Sequence, residues 1–154
     1  MPTKEFFGRY LEEFTVGEII EHWPGRTITE ADNTIFCMIT MNHHPLHSDA
    51  NYAQDTQFGQ RVAAGPLVYS IVFGMTVPII SGKAIVNLAT TDMQHPKPVF
   101  LGDTLYAHTQ VLEVRESKSQ PDRGIVTVKT KGINQHGEIV IEFQRAVLVP
   151  KRSE

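Results

Sequence analysis

The stretch GPLVYSIVFGMTVPII, residues 65–80, carries no charged side chain and decides the fold. Gly65 followed by Pro66 is typical of a helix start, because proline at the first helical position lacks only an N–H that would have no helical partner. The apolar residues that follow lie nearly all round the helix, so we expect neighbours on both of its faces. The sequence therefore predicts that residues 65–78 contain the longest helix and that its middle is buried.

The uncharged region around this helix, Val62 to Gly82, is 21 residues long, which is nominally enough to span a bilayer. Pro66 and Pro78 limit the continuous helix to about a dozen residues, since proline interrupts helical hydrogen bonding. An apolar run of that length is more typical of a buried core helix. We therefore expect no membrane-spanning segment.

The character of the chain changes after Gly82. Four segments rich in β-branched residues follow, and in one of them Val126, Val128 and Thr130 alternate with residues of the opposite face. Helices first and long strands afterwards predict an α+β fold, in which an antiparallel sheet wraps around one buried helix. The four predicted strands are Ala84–Met93, Thr104–Arg115, Ile125–Ile133 and Glu138–Val149, and an earlier segment, 18–28, predicts a strand with a bulge or kink at Pro24-Gly25.

The composition is that of one ordinary globular domain. The chain has 154 residues, of which 41% are hydrophobic and 20% charged, so it is too apolar for a disordered protein. Its net charge of −3 provides no basic excess for nucleic acid. The single cysteine, Cys37, cannot form an intrachain disulfide, and the first residues lack the apolar core of a secretory signal. We expect a single domain, residues 1–154, in the cytoplasm.

Three histidines cluster in the segment NHHPLHSD, residues 42–49. One interpretation is a polar turn between two helices, with the imidazoles in solvent. A second is a zinc site, because histidine and aspartate are ligands that zinc accepts. Pro45 prevents histidines four residues apart from sharing a helical face, and the adjacent His43 and His44 point in different directions. We therefore expect no bound zinc.

A third interpretation is acid/base catalysis by His47. The histidine segment follows a predicted helix, for which Thr29 is a good N-cap and which runs to about Met41. This helix has an apolar stripe at Ile35, Phe36, Met38 and Ile39. The residue before proline avoids the helical region, so His44 should be extended, and a second short helix should open at His47. A histidine held there is a candidate general base. Asn42 can orient a water molecule but cannot take a proton.

Gly65 offers the complementary part of such a site. A glycine at a helix start exposes backbone N–H groups with no side chain in the way, and such groups can stabilise a developing oxyanion. Taken alone, the same residues are also ordinary helix capping.

These residues resemble the MaoC-like dehydratases, the (R)-specific enoyl-CoA hydratase branch of the hot-dog fold. The segment TMNHHPLH, residues 40–47, is similar to the family's turn Ser/Thr-Gly-Asp-x-Asn-Pro-Leu-His. The segment KPVFLGDTL, residues 97–105, resembles the family's Pro-Val-x-x-Gly-Asp-Thr-Leu, and YLEEFTVG, residues 10–17, is similar to its usual opening. The whole pattern is most similar to the subgroup named for mesaconyl-CoA hydration and β-methylmalyl-CoA dehydration.

The resemblance implies a sheet wrapped around the long helix, and two subunits that join their sheets in a homodimer with acyl-CoA sites near the interface. It implies that His47 is the catalytic histidine and Gly65 the oxyanion-hole glycine, although Ala64-Gly65-Pro66 departs from the family's His-Gly-Met. It implies a CoA thioester as substrate, with no metal or redox cofactor.

One departure matters most, because Asn42 stands where the family has its catalytic aspartate. A positioned acid/base group typically contributes about 10²–10⁴ in rate. Three outcomes remain open: His47 moves the proton alone while Asn42 holds the water, another carboxylate such as Asp32 or Asp49 helps, or the site only binds acyl-CoA. A hot-dog thioesterase is a further alternative, but it needs a carboxylate near the central helix, and no acidic residue lies between Asp55 and Asp92.

Overall fold

Five strands form one antiparallel sheet in the computed structural model, which describes residues 4–153. Their order across the sheet is β1-β3-β4-β5-β2, and each neighbouring pair is antiparallel. The predicted strands are confirmed to within two residues at each end, and β1 is irregular between His22 and Arg26, where the bulge was expected. The strands are β1 (Ile19–Thr27), β2 (Val86–Gln94), β3 (Thr104–Glu116), β4 (Arg123–Ile133) and β5 (Ile139–Pro150).

The helices precede the last four strands, as the sequence predicts. The fourth, α4, has 12 residues and is the longest helix in the described part of the chain, which confirms the first expectation. A π-helical segment, Val77–Ser81, continues it through Pro78. The helices are α1 (Glu30–Ile39), α2 (Pro45–Ser48), α3 (Ala50–Gln54) and α4 (Gly65–Thr76), and two single 3₁₀ turns lie at Lys4–Phe6 and Leu11–Glu13.

Helix α4 lies against the inner face of the sheet. Val68 and Val72 are buried, and Gly132 of β4 lets the helix approach, because a Cβ at Gly132 would lie 2.7 Å from the Val72 side chain. Tyr69 packs edge-on against Phe143 of β5, with the ring centroids 5.0 Å apart. The opposite side of α4 stays open in this single chain, since Ser70 and Gly74 are exposed. The buried middle is therefore confirmed for the side that faces the sheet, whereas the expected cover on the other side is absent here.

Helix α1 forms where the sequence predicts it, but with another face inward. Thr29 caps it, since its hydroxyl accepts the Asp32 N–H at 3.2 Å. The residues that this helix buries are Asn33 and Cys37. The predicted apolar stripe is mostly exposed, because Ile35, Met38 and Ile39 point outward. The apolar stripe is therefore not the face that α1 buries within this chain.

The histidine segment also differs from the expectation in one detail. His44 is extended, as predicted from the proline that follows it. His47 does not open a helix; it lies in the last turn of α2, and Asp49 separates α2 from α3. Proline favours the first position of a helix, which starts α2 two residues earlier than expected. Within residues 4–153, no helix combines the length and hydropathy needed to cross a membrane.

Candidate active site

His47 is half-buried, and a backbone carbonyl sets the orientation of its ring. Its Nδ1 lies 2.7 Å from the carbonyl oxygen of Val62. A carbonyl oxygen can only accept a hydrogen bond, so Nδ1 carries the proton in the neutral ring and Nε2 keeps its lone pair. This tautomer has the nitrogen that a general base needs on the side of the ring away from Val62.

His47 lines two cavities. The apolar cavity, of about 350 Å³, has walls that include Phe58, Val62 and Val68, and it also contains Gly65. The polar cavity, of about 230 Å³, contains Asn42 together with Glu30, Asn33, Thr34 and Arg61. The structure thus places His47 with Gly65 in one cavity and with Asn42 in the other. Asn42 and Gly65 do not line the same cavity.

Asn42 reaches the polar cavity because the chain reverses at the end of α1. Met41 adopts a left-handed conformation with φ of 56°, and the Asn42 N–H donates to the carbonyl of Cys37 at 3.0 Å. The Asn42 side-chain amide is half-buried and has no hydrogen-bond partner among residues 4–153. Its donors and its acceptor are therefore open to a water molecule or a substrate oxygen.

Glu30 is the carboxylate that lines the polar cavity. The Arg61 guanidinium donates to both of its oxygens, at 2.7 and 2.5 Å. These hydrogen bonds lower the pKa of Glu30 and favour its ionised form. A carboxylate already engaged by arginine at both oxygens is poorly placed to replace the family's aspartate as a proton carrier.

Asp32 and Asp49, the two carboxylates considered for that role, cap helices instead. Asp32 accepts the Thr29 N–H at 2.7 Å, and this bond lowers the pKa of Asp32. Asp49 accepts the Tyr52 N–H at 3.0 Å at the start of α3. Neither lines the apolar or the polar cavity, so the structure does not support either as a substitute.

Asn33 connects the His47 helix to the start of α4. Its side chain is 1% exposed, its Nδ2 donates to the His47 carbonyl at 3.0 Å, and its Oδ1 accepts the Ala64 N–H at 3.1 Å. One buried amide therefore fixes the distance between the candidate base and the helix that begins at Gly65. The N–H of Gly65 itself donates to no acceptor within residues 4–153.

Three groups in this site were not found from the sequence: the Asn33 amide, the Val62 carbonyl and the imidazole of His95, which lines the apolar cavity. The Val62 carbonyl is backbone, so no residue type signals it. The sequence could have indicated Asn33 as a buried residue of α1, because it lies four residues before Cys37 and shares a helical face with it. For metals, no group of three or more potential ligand side chains is placed to hold an ion in the described part of the chain. The absence of zinc stays a prediction.

A family model described as "MaoC like domain" matches residues 13–134. The chain belongs to the MaoC-like domain family. It is 35% identical to a mesaconyl-CoA hydratase of Cereibacter sphaeroides over 94% of this chain and 42% of that protein. It is also 30% identical to an (R)-specific enoyl-CoA hydratase of Rhodospirillum rubrum, over 99% of both chains.

Solved structures of other proteins have the same architecture. A MaoC domain dehydratase of Chloroflexus aurantiacus superposes with a TM-score of 0.92 at 35% identity, over 99% of this chain and 43% of that one. A Mycobacterium tuberculosis protein with a double hot-dog fold superposes with a TM-score of 0.87 at 22% identity, over 96% of this chain and 46% of that one. The MaoC-like chain described here therefore has the predicted α+β hot-dog fold. It spans about two fifths of the mesaconyl-CoA hydratase that it matches.

Proposed function

We propose that this chain is a hydro-lyase that hydrates enoyl-CoA thioesters and dehydrates the corresponding 3-hydroxyacyl-CoA. One observation carries the proposal: the 2.7 Å bond from His47 Nδ1 to the Val62 carbonyl, which leaves the lone pair of Nε2 free in the neutral ring of a residue that lines both cavities. A general base needs such a free lone pair within reach of its proton. The curated names of the relatives, mesaconyl-CoA hydratase and (R)-specific enoyl-CoA hydratase, support the same reaction class.

In the proposed hydration, the N–H of Gly65 donates to the thioester carbonyl oxygen. His47 Nε2 removes a proton from water, the hydroxide oxygen bonds to the β-carbon, and the electron pair of the double bond moves onto the thioester oxygen as an enolate. The same imidazolium then returns the proton to the α-carbon. The water is consumed whole, and one histidine carries the single proton that moves. Negative charge develops next to an N–H that has no competing acceptor in the described chain, which is the arrangement of an oxyanion hole.

Asn42 has the task of holding the water in this mechanism. Its amide is unpaired among residues 4–153, and it lines the polar cavity with His47. An amide orients water through hydrogen bonds without carrying charge, which suits a substrate with its own carboxylate. We propose mesaconyl-CoA and β-methylmalyl-CoA as the preferred pair, as the name of the 35% identical relative suggests.

The test is a panel of enoyl-CoA thioesters, mesaconyl-CoA and crotonyl-CoA among them. Loss of the enoyl absorbance without release of free thiol would identify a hydratase. Thiol release would identify the thioesterase instead. If neither occurs while acyl-CoA binds, the chain is a non-catalytic binding subunit. The reaction as proposed needs no metal or redox cofactor, and elemental analysis with chelator treatment of the purified protein tests that part.

A homodimer is part of the proposal. Strand β2 lies at one edge of the sheet, and eight of its nine residues are exposed. Exposed apolar side chains follow this edge, and an edge strand with unpaired N–H and C=O groups is a template for pairing with another strand. Relatives of about twice this length, one of them with a double hot-dog fold, support two such units together. The exposed apolar residues are Ile85, Val86, Leu88 and Met93.

Sedimentation of the wild-type protein and of Leu88→Lys tests the dimer. We expect a dimer for the wild type and a monomer for the variant, because an inward charge on an edge strand opposes pairing. A wild-type monomer at micromolar concentration would contradict it. A cytoplasmic location also belongs to the proposal, in keeping with a CoA thioester substrate and a free Cys37, and fractionation of the source cells tests it.

A further inference from the structure

His95 lies directly at the start of α4. It is the first residue after β2, and its ring lines the apolar cavity with His47 and Gly65. A Cβ built on Gly65 would lie 3.3 Å from Cε1, 3.5 Å from Nε2 and 3.7 Å from Nδ1 of that ring. The imidazole therefore presents the edge that carries both nitrogens to Gly65.

The ring and the Gly65 N–H open onto the same volume. In a helix the Cα–Cβ direction tilts toward the N-terminus, and the unpaired N–H groups of the first turn point the same way. The Cβ position of Gly65 thus marks the side on which its N–H meets a ligand. A ring within 4 Å of that position is within reach of an oxygen hydrogen-bonded to the Gly65 N–H, since such bonds are about 2.9 Å long.

Neither ring nitrogen of His95 has a hydrogen-bond partner within residues 4–153. His95 is exposed overall, and its ring lies beside Gly65 where it lines the apolar cavity. By contrast, Lys97 on the same segment forms an ion pair, with its Nζ 3.6 Å from Glu138 Oε1. His95 is therefore a polar group beside the candidate oxyanion hole without a structural partner.

We propose that His95 is a catalytic residue of this site and donates the second hydrogen bond to the thioester oxygen, beside the N–H of Gly65. The inference rests on the proposed hydratase function and adds a residue to it. In the Michaelis complex one imidazole N–H points at the carbonyl oxygen, and the bond shortens as the oxygen gains charge in the enolate. No proton is transferred, so His95 ends each turnover as it began.

The protonation state of His95 fits this role. Partial burial lowers the pKa of His95 below its ordinary value, which favours the neutral ring with one N–H. A neutral donor polarises the carbonyl without placing a cation next to His47, where it would disfavour the imidazolium that forms during the reaction. The two histidines thus have different tasks: His47 moves a proton and His95 holds an oxygen.

The experiment measures the thioester carbonyl itself. Butanoyl-CoA, labelled with ¹³C at the carbonyl and unable to be hydrated, is bound to the wild type, His95→Phe and His95→Gln, and isotope-edited infrared spectra are recorded. His136→Phe is the matched control, because His136 is an exposed histidine of the β4–β5 hairpin. We expect the bound carbonyl band to move to lower frequency in the wild type and the control. It should return part of the way toward the free value in His95→Phe and less so in His95→Gln, whose amide still donates.

Turnover gives the second readout. With crotonyl-CoA, His95→Phe should lower kcat about 10²-fold with KM nearly unchanged, the pattern for loss of one oxyanion-hole donor. A carbonyl band that is the same in the wild type and His95→Phe overturns the inference, even if the wild type is an active hydratase. A wild type that shifts the band through His95 but hydrates no enoyl-CoA supports the hydrogen bond from His95 to the thioester oxygen but overturns the proposed function and, with it, the catalytic role of His95. Failure of the wild type to bind butanoyl-CoA overturns both.

Discussion

The apolar and the polar cavity share His47 but offer a substrate different surroundings. The apolar cavity has walls such as Phe58, Val62 and Val68, interrupted by the start of α4 and two imidazoles. The polar cavity contains the Asn42 amide, which has no hydrogen-bond partner in the described part of the chain, and the ion pair between Glu30 and Arg61. One side can bury a hydrocarbon chain and a thioester, and the other can hold water.

This difference between the two cavities accounts for Asn42 at the position where the family has aspartate. If the polar side only has to hold water, a neutral amide is sufficient and His47 carries the proton. The proton carrier and the water holder are then separate residues. Four substitutions, at His47, Asn33, Asn42 and Phe58, test this division.

Replacing His47 removes the group that both cavities share. His47→Ala should lower kcat for the best enoyl-CoA by about 10²–10⁴-fold, the usual effect of a positioned acid/base group. The melting temperature should change little, because the side chain is only half-buried. Steady-state kinetics and circular dichroism measure the two quantities. His136→Ala is the control, since His136 is an exposed histidine of the β4–β5 hairpin. Equal rates for the two variants would end the catalytic role of His47.

Asn33→Ala tests the connection between the two sides. It removes the bonds to the His47 carbonyl and the Ala64 N–H, and it should lower the free energy of unfolding by about 1–3 kcal/mol. The rate should fall by about 10²-fold as the base shifts relative to Gly65. Asn33→Asp keeps an acceptor for the Ala64 N–H but places a carboxylate oxygen in place of the donor to His47, so kcat should fall, and the buried charge should also lower the free energy of unfolding. Asn51→Ala, at an exposed asparagine of α3, is the control for both measurements. Full activity in Asn33→Asp would show that the bond to His47 does not position the base.

Asn42→Asp separates the two explanations of the unusual residue. A carboxylate in the polar cavity would repel the free carboxylate of mesaconyl-CoA, so kcat/KM for that substrate should fall about tenfold, or ~1.4 kcal/mol. The uncharged substrate crotonyl-CoA should lose much less. The ratio of the two kcat/KM values is the measurement. A rise for both substrates would mean that Asn42 is a damaged aspartate, and Asn42→Ala, which only removes the orienting amide, should lower both rates.

Phe58→Ala tests the apolar side alone. It enlarges the cavity, and each additional buried methylene contributes about 0.8 kcal/mol. The kcat/KM ratio of a longer enoyl-CoA to crotonyl-CoA should therefore rise severalfold, while the preference governed by Asn42 stays unchanged. An unchanged chain-length preference would show that the acyl chain does not lie against Phe58.

The sequence predicted the elements better than the contacts between them. Strand alternation placed Val126, Val128 and Thr130 on one face of β4, and that face is buried. Periodicity predicted α1, but it did not indicate the buried face, because Ile35, Met38 and Ile39 stay exposed in this chain. Which face of a helix is buried depends on its neighbours, and those are set by tertiary structure.

The sequence likewise revealed only part of the candidate site, because some of its groups come together only in the tertiary structure. His47, Asn42 and Gly65 stand at the positions of a known motif, and the fold brings His47 next to each of the other two. Asn33, the Val62 carbonyl and His95 come from separate segments that meet only in the folded chain. His95 could not be paired with Gly65 from the sequence, since β2 must first return along β5 to bring its end to α4.

The central claim is that the thioester lies on the apolar side, at Gly65, and water on the polar side, at Asn42. The most direct test is a ¹H–¹⁵N spectrum of the protein titrated with butanoyl-CoA, which has a thioester but no double bond to hydrate. We expect the backbone amide proton of Gly65 to move downfield as it donates to the carbonyl, while the side-chain amide signals of Asn42 stay nearly in place. Large shifts at the Asn42 side chain with no change at Gly65 would contradict the account, because the thioester would then occupy the polar cavity.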